Sequence, residues 1–567
     1  MFSLREPLDE ETRAALVAYD DLAALLLAHR GVTSKEEAEF FLNPSYDLHL
    51  HDPMKILNMP KAAERLAKAL SSKERIAVWS DYDCDGIPGG VILHDFLKKA
   101  GANFVNYIPH RHEEGYGVNE GGIEKLAKDG VTLVITVDSG IVDNVPIARA
   151  KELGMDVIVT DHHEPGDELP DAFAVIDPKQ EGETAPFQEL CGAGLAWKLV
   201  CATLQHGFEG RELIPIGWEK WLLDMAGLAT IADMVPLTGE NRVIAKYGLL
   251  VMRKSPRIGL IKLCKAANVN QRMITEDDVG FMIAPRVNAA SRMGDPRDAF
   301  KLFTTEDENE AEVLAKLLEK ANRSRRSAAA GITRAVHDRL EGREIPDVIA
   351  MGDPDWRPGL LGLVANSIAD QYQRPVFLWG REASMICKGS CRAGRKDVHV
   401  LDLMGAAEDT FVQFGGHAQA GGFTVKEDAV FFLEERLAKA LATLPGSAEA
   451  VLAIADAEIS PDEATGSLLS SLEKFAPFGM GNAKPVFAFR DAEVSEVLWF
   501  GKSNEHLKLR IKREFEGPID AICFYAKREL GTTCTELTAG KRTVLGSLER
   551  DQFSRGRPVR IRISSIL

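Results

Sequence analysis

The sequence predicts an α/β chain with a parallel-sheet domain, a long connecting helix, a second α/β domain and a small C-terminal β-barrel. Three observations carry this. Short apolar runs alternate with helical segments between Arg75 and Pro178, the pattern of parallel β-α units. From about Glu306 to Leu340 the chain has no proline, is rich in Ala, Glu, Leu, Lys and Arg, and keeps helical spacing at Ala311, Leu314, Leu318 and Ala321. Beyond about Pro445, closely spaced β-like runs and turn signals take over, as in a small barrel.

Length and composition agree with several packed cores. A chain of 567 residues corresponds to roughly three or four domains. Hydrophobic residues at 45% and charged residues at 27% are ordinary globular values. Glu6, Asp9, Glu10, Glu11 and Arg13 stand where a secretory signal would need a basic start and an apolar core. No run approaches the roughly 20 apolar residues of a spanning helix. The expectation is a soluble, cytoplasmic protein with no membrane partner. Eight cysteines are scattered without a C-x-x-C pair, which fits reduced thiols better than zinc or disulfides.

The net charge of −17 argues against nucleic acid only until its distribution is read. From Gly501 to Leu567, 14 Lys and Arg face 8 Asp and Glu, a local +6 that leaves −23 elsewhere. An acidic body thus carries a basic C-terminal module. A merely solvated basic face would look the same on charge alone.

Residues 1–50 read as a helical segment, with Ser34 and Glu37 forming a capping box. Domain limits follow at 51–300, 301–345 (the connecting helix), 346–445 and 446–567. In the first α/β domain, strands are expected at Ile76 to Trp79, Phe104 to Ile108, Val131 to Val137, Met155 to Thr160 and Val175-Ile176. Helices are expected at about Gly90 to Ala100, Ile123 to Ala127 and Asn144 to Leu153, and Trp197 to Leu237 reads as largely helical. The long helix carries an interruption near Gly331. The second domain restarts at Asp347 to Met351. The C-terminal strands are Val486 to Phe489, Val497 to Phe500, Leu507 to Ile511, Ile519 to Phe524 and Val559 to Ile563.

Parallel sheets gather ligand-binding groups at the carboxyl ends of their strands. Asp81-Tyr82-Asp83-Cys84-Asp85-Gly86, Asp138-Ser139-Gly140 and Asp161-His162-His163 all fall there. Asp233, a lone acid in an apolar stretch, joins them. Carboxylates at that density repel one another and call for a cation. Mostly oxygen donors with a few imidazoles favour Mn²⁺ or Mg²⁺. More than five candidate ligands suit a pair of ions bridged by one carboxylate, an arrangement for phosphoester hydrolysis. Each piece has a plainer reading. The D-x-D-x-D-G loop could bind calcium, though it lacks the bidentate acid of that loop. Asp138 could cap a helix, the histidines could be core residues, and Asp233 could pair within the core. All of these together require four coincidences at one sheet edge.

In the second domain, two Gly-Gly pairs around His417 let backbone N–H groups approach a phosphate closely. A turn made glycine-rich only for tight packing would share the pattern. Lys388, Arg392 and Arg357 could supply cations there, as could Arg286 and Arg292 from the first domain.

In this order the motifs resemble the DHH phosphoesterase superfamily, and within it the exonucleases specific for single strands. The resemblance runs from about Glu36 to the end. Besides the acidic motifs it rests on Pro109-His110-Arg111, Glu114-Gly115-Tyr116-Gly117, Leu190-Cys191-Gly192-Ala193-Gly194 and Ala232-Asp233-Met234-Val235-Pro236-Leu237. It continues through Pro285-Arg286-Val287-Asn288-Ala289-Ala290, Gly415-Gly416-His417 with Gly421-Gly422, and Pro477-Phe478-Gly479-Met480-Gly481-Asn482. Three positions depart from it: Pro88 where Thr is common, His110 where Asn often precedes the Arg, and Arg357 where His usually precedes Pro-Gly.

The resemblance implies a DHH domain, a connecting helix, a DHH-associated domain and an OB-fold. It implies a Mg²⁺- or Mn²⁺-dependent enzyme, with two ions, that degrades single-stranded DNA from the 5′ end to nucleoside 5′-monophosphates in repair and recombination. Single-strand-binding protein and a helicase are the protein partners it implies. Asp81, Asp83, Asp85, Asp138, His162 and Asp233 match the metal ligands, with Asp138 bridging. Asp161 would orient the site and His163 would face the scissile phosphate. Arg111, Arg286, Asn288, Lys388, Arg392 and His417 would contact the strand. A cleft between the two domains would admit one strand and exclude a duplex. In the basic module, Lys502, Lys508, Arg510, Arg557, Arg560 and Arg562 with Trp499, Phe500 and Tyr525 suit single strands. Two alternatives stay open. One is a DHH-family enzyme acting on short oligoribonucleotides, adenosine bisphosphate or cyclic dinucleotides. The other is a non-catalytic DNA- or replication-factor-binding protein that keeps the fold.

Overall fold

The computed structural model describes residues 2–381, 386–444, 453–551 and 558–567. The expected limit at 445/446 and Arg557 lie outside the described residues. The chain forms two compact units. The larger comprises Pro7–Asn322 with Ser470–Lys484; the second comprises Met1–Glu6, Arg323–Leu469 and Pro485–Leu567.

The opening residues depart from the helical expectation. They form β1 (Phe2–Leu4), which belongs to the second unit. Helices Glu10–Ala15, Asp21–Ala28, Lys35–Leu42 and Tyr46–His49 follow. The Ser34–Glu37 capping box is present, each side chain bonding the other's backbone.

The larger unit is built on β2 (Arg75–Ser80), β3 (Asn103–Tyr107), β4 (Leu133–Val137), β5 (Asp156–Thr160) and β6 (Ala174–Ile176). They lie in the order β3-β2-β4-β5-β6, all parallel. The apolar runs of β2, β4 and β5 are continuous because both faces are covered, whereas edge strand β3 is only partly buried. Ile76, Val78, Leu133, Ile135 and Ile158 enter one core, and Ala77, Trp79, Val134, Val157 and Val159 enter the other. Helix Gly86–Lys99 begins four residues earlier than its apolar spacing implied, directly out of the acidic loop. The stretch expected to be helical from Trp197 to Leu237 divides into helices Gly192–His206 and Leu223–Ala232.

The connecting helix, Glu308–Leu340, spans 33 residues without a break at Gly331. In the second unit, β7 (Ile349–Gly352), β8 (Val376–Arg381), β9 (Cys387–Arg392), β10 (Phe411–His417) and β11 (Ala420–Val425) form a mixed sheet, ordered β10-β11-β9-β8-β7. Next come β12 (Ala453–Ala455), paired with β1, and β13 (Ala457–Glu458). The barrel strands are β14 (Phe487–Phe500), β15 (His506–Ile511), β16 (Ile519–Cys523), β17 (Gly540–Arg550) and β18 (Val559–Ile566). Pairing of β14 with β17 closes them into a five-stranded barrel. Two expected strands are one here: β14 runs 14 residues and stays paired through its irregularities. The sequence reading missed β17. All eight cysteines are free thiols. Among the described residues no helix is long and apolar enough to cross a membrane.

Candidate active site

Ser80, Val137, Thr160 and Ile176 end β2, β4, β5 and β6 and are register partners across the sheet. An aspartate follows each one: Asp81, Asp138, Asp161 and Asp177. The hydrogen-bond ladder continues into this row. Asp81 N–H donates to Val137 O (3.1 Å), Asp138 N–H to Thr160 O (2.9 Å) and Asp161 N–H to Ile176 O (3.1 Å). Sheet geometry therefore fixes where the carboxylates start. Asp138 leaves its strand in the left-handed region, φ +58°, a conformation an aspartate holds at a cost on the order of 1–3 kcal/mol.

The acidic loop adds two more carboxylates. Asp83 Oδ1 accepts from Asp85 N–H (2.8 Å) and Gly86 N–H (3.2 Å). Asp85 is buried and is fixed by the first turn of helix Gly192–His206. Gly192 N–H donates to its Oδ2 (2.6 Å) and Ala193 N–H to its Oδ1 (2.8 Å), using the unsatisfied amides and positive end of that helix. Asp233 arrives differently, as the residue that caps the C-terminus of helix Leu223–Ala232, its N–H on Ala229 O.

His162 Nε2 faces all of these. It stands 3.2 Å from Asp138 Oδ1, 3.5 Å from Asp85 Oδ2 and 3.7 Å from Asp233 Oδ2. One ring nitrogen can give a proton to only one of three acceptors. The convergence fits a lone pair and three carboxylates turned toward a cation. Asp161 is turned the other way. Its Oδ2 accepts from Ile141 N–H (3.0 Å); its Oδ1 accepts from His162 N–H (2.8 Å) and lies 2.8 Å from His163 Nδ1.

The electrostatics separate the groups. Burial first, then neighbouring carboxylates, push Asp81 and Asp138 well above the usual carboxylate range. Burial, with Asp85 and Asp83, lifts Asp233 to about 8. Burial pulls His162 down. Burial opposes charge on His163 too, but the Asp161 bond and surrounding acids raise it to about 9. Asp161 stays below its ordinary value despite burial, chiefly through His163.

Three sets of donor atoms lie within 4.8 Å of one another: Asp81, Asp83 and Asp138; Asp85, His162 and Asp233; and Asp138, His162 and His163. His163 Nδ1 is committed to Asp161, which leaves the first two sets, with Asp138 belonging to one and touching the other. Asp81 Oδ1 is buried without a hydrogen-bond partner, an acceptor that a cation would satisfy. Carboxylate oxygens with one imidazole suit Mn²⁺ or Mg²⁺.

Other expected site residues are placed less uniformly. The Arg111 guanidinium lies 4.8 Å over the Tyr82 ring. Asn288 Oδ1 accepts from Cys84 N–H (2.9 Å), so this residue braces the acidic loop. Arg286, expected to contact the nucleic-acid strand, is buried. Its Nε pairs with Glu319 at 2.7 Å and its Nη1 donates to Met282 O at 2.5 Å, because its helix turns that face into the core. In the second unit, Ala420 is the ladder partner of both His417 and Arg392, so these two share one end of the sheet, with Lys388 four residues back on β9. Gly415 faces Gly422 and Gly416 faces Gly421.

The basic barrel surface is more neutralised than its composition implied. Lys508 pairs with Asp520, Arg510 with Glu496, and Arg560 with Glu549 and Asp551, while Arg562 also reaches Glu549.

Three contributors have roles that the sequence did not assign. Tyr116 Oη donates to Asp138 O at 3.1 Å and lies 3.2 Å from His163 Nδ1. The amides of Gly192 and Ala193 hold Asp85. Asp177 completes the row, and burial raises it to about 7. The recurrence of aspartate after four of the five strands is the available signal for the last.

Family models match three segments in chain order: the DHH family N-terminal domain over residues 75–230, the DHHA1 domain over 345–448 and the RecJ OB domain over 455–565. The single-stranded-DNA-specific exonuclease RecJ of Bacillus subtilis is 36% identical over 507 residues, 89% of this chain; the chain spans 63% of that protein's length. The Escherichia coli protein of the same name is 30% identical over 91% of both chains. The crystal structure of Thermus thermophilus RecJ in complex with Mn²⁺ superposes with a TM-score of 0.82 at 27% identity, covering all of this chain and 79% of that one. The chain belongs to the RecJ family of DHH phosphoesterases.

Proposed function

We propose that this protein is a Mn²⁺- or Mg²⁺-dependent exonuclease that hydrolyses single-stranded DNA from the 5′ end to nucleoside 5′-monophosphates, serving repair and recombination in the cytoplasm. Single-strand-binding protein and a helicase are its proposed partners. The observation that carries this reading is Asp138, held in a strained conformation between two sets of acidic donors. Asp81, Asp83 and Asp138 would hold one ion, and Asp85, His162, Asp233 and Asp138 the other. Ions bound there supply Lewis-acid neutralisation of charge at phosphorus.

The chain's own residues do the rest. The Gly192 and Ala193 amides stop Asp85 from turning away. Asp161 keeps His163 protonated and aimed, so that its imidazolium can neutralise a non-bridging phosphate oxygen. Tyr116 packs edge-on against that ring while its hydroxyl donates to the backbone of Asp138. Arg111, held over the Tyr82 ring, offers its guanidinium to the strand. Lys388, Arg392 and His417 on the glycine-rich sheet, and the closed barrel, bind the backbone and bases of the remaining strand.

The test incubates 5′- and 3′-labelled single strands, a duplex and small nucleotides with Mn²⁺ or EDTA. Mononucleotide release from the 5′ label, only with metal and only on single strands, is expected. Robust activity confined to oligoribonucleotides, adenosine bisphosphate or cyclic dinucleotides would replace this reading with the small-substrate one.

A further inference from the structure

Asp233 is the one carboxylate of the cluster that neither the sheet ladder nor a helix N-terminus positions. It ends a helix, and the next residue, Met234, turns left-handed at φ +62°. The turn through Pro236 and Leu237 then leads to helix Gly239–Met252. Asn241 Nδ2 holds part of this turn by donating to Pro236 O at 3.1 Å, and a distant segment holds the rest. Ser470–Lys484, far away in sequence and flanked by segments of the second unit, packs as part of the larger one.

The contacts fall on the turn itself. Leu237 N–H donates to Met480 O at 2.8 Å. A Cβ on Gly479 would come within 2.8 Å of Leu237 Cδ1, and one on Gly481 within 3.3 Å of Pro236 Cβ and Thr238 Cγ2. The Gly-x-Gly spacing is what lets this backbone lie against the turn. Just beyond, Arg242 is buried with its guanidinium on carbonyl oxygens: Phe475 O at 2.9 Å, Ala476 O at 3.2 Å and Phe41 O at 2.6 Å. No carboxylate among the described residues pairs with its charge, so this arrangement is kept only while those carbonyls stay in place. Asn482, fully buried, closes the segment on itself. Its Nδ2 donates to Phe475 O and Pro477 O, both at 2.8 Å, and its Oδ1 accepts from Arg30 Nε at 2.7 Å.

We infer that Ser470–Lys484 is a strap that positions Asp233 for metal binding, with Gly479, Met480 and Asn482 as positioning residues acting through the Pro236–Leu237 turn. This rests on the proposed role of Asp233 as a ligand. The strap makes the acidic centre depend on a segment that the sequence places just ahead of the barrel strands. Cutting the chain near residue 450 would therefore remove part of the catalytic unit along with the barrel.

Asn482→Ala and Gly479→Ala in the full-length chain test it, alone and combined with Asp233→Asn. Mn²⁺ binding to the metal-stripped protein is read by calorimetry, and kcat and KM on a single-stranded oligonucleotide in parallel. Each strap variant should weaken one Mn²⁺ site and lower kcat by about 10- to 100-fold, with KM within about twofold. In the Asp233→Asn background, neither should weaken Mn²⁺ binding further. If Asn482→Ala does not fold, Gly479→Ala decides. Wild-type Mn²⁺ affinity in a folded strap variant, or an additive loss with Asp233→Asn, would overturn the inference. Weakened Mn²⁺ binding in a protein whose parent never cleaves DNA would uphold the strap and sink the nuclease reading.

Discussion

His163 Nδ1 lies 2.8 Å from Asp161 Oδ1, and this bond decides whether the ring facing the acidic centre is charged. With Asp161 in place, His163 titrates at about 9. Because that value is raised above the ordinary ~6.5, the pair's contribution to stability is full from about 6.5 down to where Asp161 protonates, and is lost as pH rises through 9. Asp161→Asn should return the His163 pKa toward ~6.5, read by NMR of the histidine ring. Turnover should fall about 10- to 100-fold, with the larger loss at alkaline pH, where the freed ring is neutral. An unchanged His163 titration would remove Asp161 from this role.

The acidic cluster sets a second pH dependence. Without metal, Asp81, Asp85, Asp138 and Asp233 are all raised by burial, with neighbouring carboxylates adding to it. Acids raised in the folded state favour folding at low pH, and that support drains away as pH climbs from about 4 through the Asp233 value of about 8. Ions bind the ionised forms and restore what is lost. Mn²⁺ should therefore raise Tm more at about pH 8.5 than at about pH 6, measured against EDTA. Equal shifts at both pH values would contradict the electrostatic account.

Arg286 is buried against Glu319, and its loss should first be a loss of stability. Arg286→Ala should destabilise the larger unit by about 3–5 kcal/mol in urea unfolding, because it breaks a largely buried ion pair. Replacing both partners with apolar residues should recover most of it. Single-strand affinity lost without any loss of stability would return Arg286 to the strand-contact role expected from its motif.

The barrel cations divide in the same way. Lys502 and Lys541 have no carboxylate in salt-bridge range among the described residues. Lys502→Ala and Lys541→Ala should each reduce the slope of log affinity against log salt by about 1. Arg560→Ala, which breaks a buried pair with Glu549 and Asp551, should lower Tm and leave that slope unchanged. The opposite assignment would mean that composition was the better guide.

These residues also show which parts were legible in sequence. The parallel sheet could be read because β2, β4 and β5 are apolar on both faces, and that pattern needs no tertiary knowledge. Asp81, Asp138 and Asp161 could be placed together because each follows such a strand. Arg286 could not be read, since its motif does not say which helix face turns inward; Glu319 lies 33 residues away on another helix. The amides holding Asp85 look like ordinary Gly-Ala sequence until helix Gly192–His206 is seen to start there. The strap was least legible. Pro477 to Asn482 stood out as a motif, but its contact with Leu237 joins two segments that nothing in their own residues connects.

The most direct measurement is Mn²⁺ binding to the metal-stripped protein, wild type against Asp138→Ala, with single-strand binding and turnover followed in the same preparations. If Asp138 is shared between two ions, wild type should take up two equivalents. Asp138→Ala should weaken both and lose turnover by on the order of 10³-fold, while single-strand binding largely survives. Retained turnover, or loss of one equivalent with the other untouched, would contradict the shared role of Asp138.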